Sequence, residues 1–502
     1  MTLKKDKILF WLENHTSHFG IAKALADQYE CESYGLIACS PKQNFFYKEQ
    51  KLINFKKTWF LRDHVNLKKY IFDSKKLEYF EKKYSLPLQK IIYSDRSFYK
   101  YNFYHKFSNE QIYSIILDEL ELYEKILDEI NPDFVVMRTP EFQDIDLFYE
   151  LCKSKQIPLL ILTSARIGSR YTITSNPNSP ILFDKSNTKI EIKEFNDLKK
   201  YVDEFSKEHK KFLEDAQVKK PNIFKFLKLI LSTYNSSNNN SYRDIGKTSW
   251  NVIKKGVILS IKTKIRKSFL DKNTRKNIDS QKAFAYFPLH MEPERSLLRK
   301  GQFYTDQINV IKNVSQSLPV GMKLMVKEHP SMQLIGWRDK KFYQNIITLP
   351  NVELIHPSVK SSDMIKNSSV VITIASTTAL ESAFYQKCSV VFSDIDCSSL
   401  SSVFQVTELE KLPEIISKSL DTKVNLIELN QFVEALINSS FNTDIMNIQN
   451  KMSQIFGLGG FFISNEISEI EMKKFLEMHK ESFKKLADEH IKEIDKLKKF
   501  NY

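Results

Sequence analysis

Phe284-Ala-Tyr-Phe-Pro-Leu-His290-Met-Glu292-Pro-Glu294-Arg295, Lys323-Leu-Met-Val-Lys327-Glu328-His329-Pro330 and Val370-Val-Ile-Thr-Ile-Ala-Ser376-Thr377-Thr378-Ala-Leu-Glu381 are three apolar runs that each end in polar residues. A fourth, Cys388-Ser-Val-Val-Phe-Ser393, follows closely. The run at 370–374 is β-branched and almost wholly apolar, as expected of a strand covered on both faces. Polar groups gathered where strands stop are the layout of a nucleotide-binding α/β domain, whose ligands sit beyond the carboxyl ends of parallel strands.

Each strand end carries its own chemistry. Ser376, Thr377 and Thr378 put three hydroxyls at a strand-to-helix turn, and a helix is expected over 379–385. A helix start offers unpaired N–H donors and a partial positive charge, which suit a phosphate. Glu381, three residues beyond Thr378, equally reads as one half of a capping box. In the second run Pro330 ends the ladder, which leaves the His329 imidazole free to donate to a phosphate oxygen or to protonate a leaving group. A packed turn residue is the plainer reading of His329. Lys327 adds a point charge. The first run ends in His290, Glu294 and Arg295, which read as pocket lining or as surface decoration.

The order and spacing of these pieces resemble a family. Pro288-Leu-His290 with Pro293-Glu294, Asp306-Gln307, the Leu318-Pro-x-Gly321 turn, Val326-Lys-Glu-His-Pro330, Leu349-Pro-Asn-Val352 and the strand entering Ser376-Thr-Thr-x-x-Glu381 look like the bacterial capsule polysaccharide biosynthesis proteins, which are related to the capsular Kdo transferases. The resemblance covers residues 280–400 well and the first 180 loosely. One departure is Ala375-Ser376-Thr377, where compared members often carry Gly-Thr, so a close backbone approach to phosphate has less room. The resemblance implies a GT-B-like α/β fold: two Rossmann-like domains facing a cleft, with a nucleotide sugar on the C-terminal half and an acceptor on the N-terminal half. It favours a CMP-activated acid such as Kdo, with UDP- or GDP-sugars using similar architecture. It implies no cofactor and no metal. Asp394-Ile-Asp396 has the Asp-x-Asp form but follows a strand that the phosphate-side hydroxyls do not share.

Composition sets the outer bounds. The chain has 502 residues with 42% hydrophobic, including 36 Phe and 22 Tyr, enough for two or three packed domains. Its net charge of +14 fits an anionic partner, such as a nucleotide sugar, a lipid phosphate or an anionic membrane; a lysine-rich proteome gives the same number without a partner. Nucleic acid has only this charge in its favour and is not expected as a partner. The 5 Cys are scattered, with no Cys-x-x-Cys, so neither a zinc site nor a disulfide framework is expected. The run 8–12 is too short for a signal-peptide core, and no stretch is apolar enough to span a bilayer. A cytoplasmic protein is expected, with peripheral contact at the inner membrane face.

The chain order then assigns the rest. Residues 1–184 read as an N-terminal Rossmann-like domain. A strand at 8–12 leads into a polar turn with Glu13, His15 and His18, then a helix at 21–29 and a strand at 34–39. Two histidines there suggest a metal only weakly, because no third ligand is in view; as pocket lining they fit better. Residues 45–110 read as helices and connections. The amphipathic helix at 111–130 stops at Asn131-Pro132 and is followed by strands at 134–137 and 157–162. Their ends present Arg138 and Glu141, which also read as a surface ion pair, and Arg166. Residues 185–280 form a basic helical insertion, with an apolar face beside a basic one in 252–270 that suits an anionic bilayer and reads equally as an interdomain insertion whose lysines face water. Residues 281–420 are the C-terminal Rossmann-like, nucleotide-sugar domain. Residues 421–502 are helical, ending in one long helix over 466–500 with a seam of Phe483, Leu486, His490, Ile494 and Leu497.

These expectations converge on a glycosyltransferase acting on a surface polysaccharide or lipid-linked glycan. Lys327, His329 and Ser376-Thr377-Thr378 would stabilise the departing phosphate. Pro330, Glu381, His290, Glu294 and Arg295 complete the donor side. Glu13, His15 or Glu141 would take the acceptor proton, and Arg138 and Arg166 would hold the acceptor. The rivals are a nucleotide-sugar epimerase of the same architecture and a non-catalytic, membrane-associated assembly or export factor.

Overall fold

The computed structural model describes residues 5–13, 17–39, 41–65, 72–100, 103–177, 192–204, 242–278, 282–456 and 467–500. The chain opens with β1 (Asp6–Leu12), β2 (Cys31–Ile37), β3 (Lys57–Phe60), β4 (Phe134–Arg138), β5 (Leu159–Ser164) and β6 (Arg170–Thr174). The first five are parallel, and β6 folds back antiparallel to β5. β3 lies inside the stretch expected to hold only helices and connections. Along β1, Leu9 and Trp11 enter one apolar core and Ile8, Phe10 and Leu12 another, as the two-residue period of a strand dictates. The helices α1 (Ser17–Gln28), α2 (Asn109–Ile130) and α3 (Gln143–Ser154) supply these cores. A Ser108–Gln111 capping box starts α2, and Asn131 ends it in the left-handed conformation at φ 47°.

The second sheet holds β7 (Phe284–Pro288), β8 (Lys323–Lys327), β9 (Val352–Ile355), β10 (Val370–Thr373), β11 (Ser389–Val391) and β12 (Val403–Gln405), all paired in parallel. β12 shows that the sheet continues past Leu400. The helices of this part include α4 (Phe195–Glu204), α5 (Ser249–Asn273), α6 (Gln307–Ser317), α7 (Thr378–Phe384) and α8 (Leu426–Asn438). Of the expected basic insertion, α4 and α5 are helical as read; its stretch 205–241 falls outside the described residues.

The chain then returns to its first sheet. β13 (Phe441–Asn442) pairs antiparallel with β6, and Arg170 Nε donates to Ser440 Oγ at 2.8 Å. α9 (Ile445–Phe456), α10 (Glu469–Met478) and α11 (Lys480–Phe500) follow. The expected single helix over 466–500 is thus two. His479 leaves the helix at φ −116° and ψ 20°, and the break lets the Phe475 and Phe483 rings meet edge to face at 5.8 Å. The seam faces α1: a Cβ on Gly20 would lie 2.3 Å from Phe483 Cζ, so this close approach requires glycine. His490 in the same seam is fully buried and held neutral, its pKa pushed down to about 4 by burial, with Nδ1 donating to Leu486 O at 2.6 Å.

The chain divides into two compact units: Met1–Pro177 with Phe205–Ile253 and Ser440–Tyr502, and Asn178–Glu204 with Lys254–Ser439. Both are Rossmann-like: the second unit has an all-parallel sheet, and the first a parallel sheet extended by the antiparallel β6 and β13. The tail helices from Ser440 on belong to the first unit because they complete its core, where Ile448, Phe475, Phe483 and Leu486 join Phe10 and Phe19.

Candidate active site

Among the described residues the second sheet runs β12-β11-β10-β7-β8-β9. From β7 the chain winds one way through β8 and β9, and from β10 the other way through β11 and β12. The switch point between β7 and β10 is therefore where a crevice opens at the strands' carboxyl ends. His290 follows β7 and Ala375 follows β10. The His290 ring spans this point: its Nε2 accepts the Ala375 N–H at 3.1 Å and lies 3.3 Å from Thr373 Oγ1. Burial lowers its pKa to about 4, with His329 and the Arg338 guanidinium acting in the same direction, so the ring is neutral with its proton on Nδ1. His290 is 4% exposed. It holds the turn at Ala375 in place, and its accepting nitrogen is taken up by that bond.

The end of β8 is built differently. His329 caps the 3₁₀ turn Pro330–Ile335, and its Nδ1 accepts the Ser331 N–H at 3.2 Å. That bond leaves the proton on Nε2, on a half-buried ring. Burial keeps the pKa below the usual histidine value, although Glu294 pulls the other way. A neutral imidazole presenting Nε2–H is a ready hydrogen-bond donor at neutral pH. Lys327 is almost fully buried, with Nζ donating to Ser361 Oγ at 3.3 Å, and burial pushes its pKa down to about 8. Arg295 is buried, Pro330 opens the 3₁₀ turn, and Glu381 is exposed on α7.

The turn after β10 departs from the expected capping box. α7 begins at Thr378 with Thr377 as its cap and no side-chain cap bond. Ser376 Oγ instead accepts the Thr378 N–H at 3.2 Å and meets Thr378 Oγ1 at 2.9 Å. The hydroxyls satisfy one another locally because the turn residues are already helical, which removes the geometry a Thr378–Glu381 box needs.

Behind these groups lies a network that sequence reasoning missed. Arg338 Nε donates to Glu328 Oε2 at 2.8 Å, its NH1 lies 3.2 Å from Glu292 Oε2, and its NH2 donates to His290 O. Tyr343 OH donates to Glu328 Oε2 at 2.7 Å, and Gln307 Nε2 to Glu292 Oε1 at 2.8 Å. Arg338 thus ties the end of β7 to the end of β8. It stands alone in Gly336-Trp-Arg338-Asp339, a stretch with no periodicity or motif to mark it.

The first sheet has an equivalent point. Its order is β13-β6-β5-β4-β1-β2-β3, so the winding reverses between β1 and β4. Glu13 follows β1 and Arg138 ends β4, and their side chains pair across this point; Arg138 NH1 also lies 3.0 Å from Glu141 Oε2. The surface ion pair expected for Arg138 is corrected here: its side chain is only 12% exposed and shared between two carboxylates. Its guanidinium lies 5.6 Å from the centre of the Phe142 ring, which Arg96 and Arg243 also approach, at 4.9 and 4.4 Å. A cavity of ≈ 410 Å³ opens beside it. Ser17 and His18 line it from α1, Arg138, Thr139 and Glu141 from the end of β4, and Thr163 and Ser164 from β5, while Ile448 and Gln449 of α9 and Leu486 of α11 close it. Hydroxyls, a carboxylate and a guanidinium over an apolar wall suit a sugar. His15 lies outside the described residues. Arg166 is exposed on the β5–β6 turn at φ 64° and does not line this cavity.

A buried network anchors the loop that carries Thr139 and Glu141. Gln143 donates its N–H to Asp95 at 3.1 Å and its Nε2 to Glu119, accepts from Tyr242 OH at 3.0 Å, and its neighbour Asp144 takes Arg243 at 2.6 Å. Burial, and then Asp144, raise the Glu119 carboxyl well above the usual range. A carboxyl raised on folding stabilises fully below its unfolded pKa and loses that contribution as pH rises towards the folded one, at about 1.4 kcal/mol per pH unit across that window. Glu119→Gln is therefore expected to match the native chain below about pH 4 and to exceed it in urea-unfolding stability at pH 7. A variant less stable than the native chain at both pH values would refute the protonated assignment.

No group of three His, Cys, Asp or Glu among the described residues is arranged to hold a metal. Asp396 of the Asp-x-Asp pairs with Lys300 at 3.0 Å.

With this geometry in view, the family comparison is decisive for the region. Residues 191–393 match the capsule polysaccharide biosynthesis protein family. The match spans the whole constellation from His290 to Glu381 and bears out the resemblance read over residues 280–393; it also takes in 191–279, where none was read, and does not reach the first 180 residues. No curated protein matches the sequence. Similar solved structures include UDP-GlcNAc 2-epimerase from Methanocaldococcus jannaschii, at 12% identity over 86% of this chain and 99% of that one with a TM-score of 0.23. They include Thermosulfurimonas dismutans KpsC, a β-Kdo 2,7-transferase, at 13% identity over 69% and 98% with 0.29. UDP-GlcNAc 2-epimerase from Neisseria meningitidis bound to UDP-GlcNAc matches at 11% over 86% and 99% with 0.27.

Proposed function

We propose that this chain is a glycosyltransferase of capsular or related surface-polysaccharide synthesis, taking its sugar from a nucleotide-sugar donor. The observation that carries the reading is the set of donors at the carboxyl ends of β8 and β10, on the strands either side of β7 at the switch point, within the segment that matches the capsule family: Lys327, the Nε2–H of His329 and the hydroxyls of Ser376, Thr377 and Thr378. Such groups suit the charge that develops on a departing nucleotide phosphate. The second unit binds the donor, with His290 and Arg338 holding its strand ends. The first unit binds the glycan acceptor in the cavity beside Arg138. Glu141 is the better-placed base, because it lines that cavity. It takes the proton of the attacking hydroxyl as the sugar–phosphate bond breaks, and the leaving phosphate keeps the electron pair under Lys327 and His329. A CMP-activated acid is the donor favoured by the family, and no metal takes part in this scheme.

The test is thermal unfolding with CMP, CDP, UDP, GDP and ADP. A nucleotide at about 100 times its dissociation constant stabilises by about 2.7 kcal/mol. One of them is expected to raise the melting temperature, and its affinity to fall as pH rises through about 8, where buried Lys327 loses its charge. No shift with any nucleotide would overturn the reading in favour of a non-catalytic factor.

A further inference from the structure

α5 is an unusual helix. Over Ser249–Asn273 it carries Lys254, Lys255, Lys262, Lys264, Arg266, Lys267 and Lys272 against a single acid, Asp271. Asp271 is already engaged by Lys267 at 2.7 Å and by His356 at 3.0 Å. One side of the helix is bolted to the second unit. Arg266 donates to Gly336 O at 3.1 Å and Trp337 O at 3.0 Å, Leu270 is buried, and Thr263 and Leu259 press on Gly336, where a Cβ would meet them at 2.5 and 2.8 Å.

The opposite side carries an exposed apolar row. Trp250 is 80% exposed, and Val257, Ile258, Ile261 and Ile265 are each between 42% and 59% exposed. At about 100° per residue these five fall within an arc of roughly 100°. Exposed rows of large apolar residues mark interaction surfaces. Lys254 and Lys272 project within the arc, Lys264 lies on one margin, and Lys255 and Lys262 lie beyond the other. A protein partner would have to bury or pair these lysines. A lipid surface takes the apolar row into its acyl boundary while the lysine stems reach back to the headgroups. None of the described helices is long and apolar enough to cross a membrane, so α5 would lie along one.

We infer that α5 docks the protein on an anionic lipid bilayer through Trp250, Val257, Ile258, Ile261 and Ile265, with its lysines against acidic headgroups. The experiment is co-sedimentation of the full chain with phosphatidylcholine vesicles, with and without phosphatidylglycerol, at low and high salt. The chain is expected to pellet with the phosphatidylglycerol vesicles at low salt and to be released by high salt. The triple variant Val257→Glu, Ile261→Glu, Ile265→Glu is expected to lose that binding with its melting temperature and nucleotide response unchanged, because all three side chains face solvent. Lys254→Gln, Lys262→Gln, Lys264→Gln, which leaves the apolar row intact, is expected to weaken it by about 10²-fold, at roughly fivefold per lysine. A wild-type chain that stays in the supernatant would overturn the inference. So would a glutamate variant that pellets like wild type, or a dimer that the glutamate variant dissolves, which would assign the row to a second copy. Should the glutamate variant fail to fold, undiminished binding by the glutamine variant would overturn it.

Discussion

His329→Ala is expected to lower sugar transfer by about 10²–10³-fold, the usual consequence of removing one preorganised donor to developing negative charge. The argument rests on tautomer and position. Ser331 N–H occupies Nδ1 at 3.2 Å, so Nε2 carries the proton, and burial keeps the ring neutral at pH 7. The ring is half-buried at the end of β8, beside Lys327, and among the described residues its Nε2 has no hydrogen-bond partner. Stability should change little, since the substitution removes one bond to an exposed turn. The effect should fall on kcat more than on KM, because the donor matters most when charge has developed. His329→Asn, which can keep a donor but not its reach, should recover only part. Unchanged turnover in a folded His329→Ala protein would refute the assignment of this residue and weigh towards a non-catalytic role.

Arg338→Ala is expected to destabilise the second unit by about 3–5 kcal/mol, because it leaves a buried carboxylate without its partner. Glu328 is fully buried and Arg338 is 6% exposed. The melting temperature should fall by roughly 10 °C at the usual 2–4 °C per kcal/mol for a unit of this size. Adding Glu328→Gln to Arg338→Met should recover much of the loss, since the uncompensated charge is then gone. Nucleotide affinity should fall in the single variant as well, because the same guanidinium holds His290 O and, through the His290 ring, the turn at Ala375. A single variant as stable as wild type would show that the network is not closed as described.

The strands around the candidate donor site were legible because buried parallel strands must be continuous apolar runs. The polar groups after them were legible because residues beyond a strand's carboxyl end are not needed by the ladder. Thus Lys327, His329 and Ser376 to Thr378 could be named from spacing. Their roles could not be separated. His290 and His329 look alike in sequence, yet one ring is turned inward to a backbone N–H and the other presents a donor. Arg138 reads equally as a surface ion or a site residue until its partner Glu13, 125 positions away by its number, is seen across the sheet.

Local pattern by itself determined the α/β class, the parallel strands, the family resemblance and the basic, apolar character of α5. These depend on neighbours within a few residues, where periodicity and turn chemistry act. Only the tertiary structure decided that the tail helices complete the first core, that Gly20 yields to Phe483, that residues 466–500 break at His479, and that Arg338 closes the strand ends. Each of these is a contact between segments distant in the chain, and such contacts are fixed by the shape of the packed core and not by the local sequence that joins it.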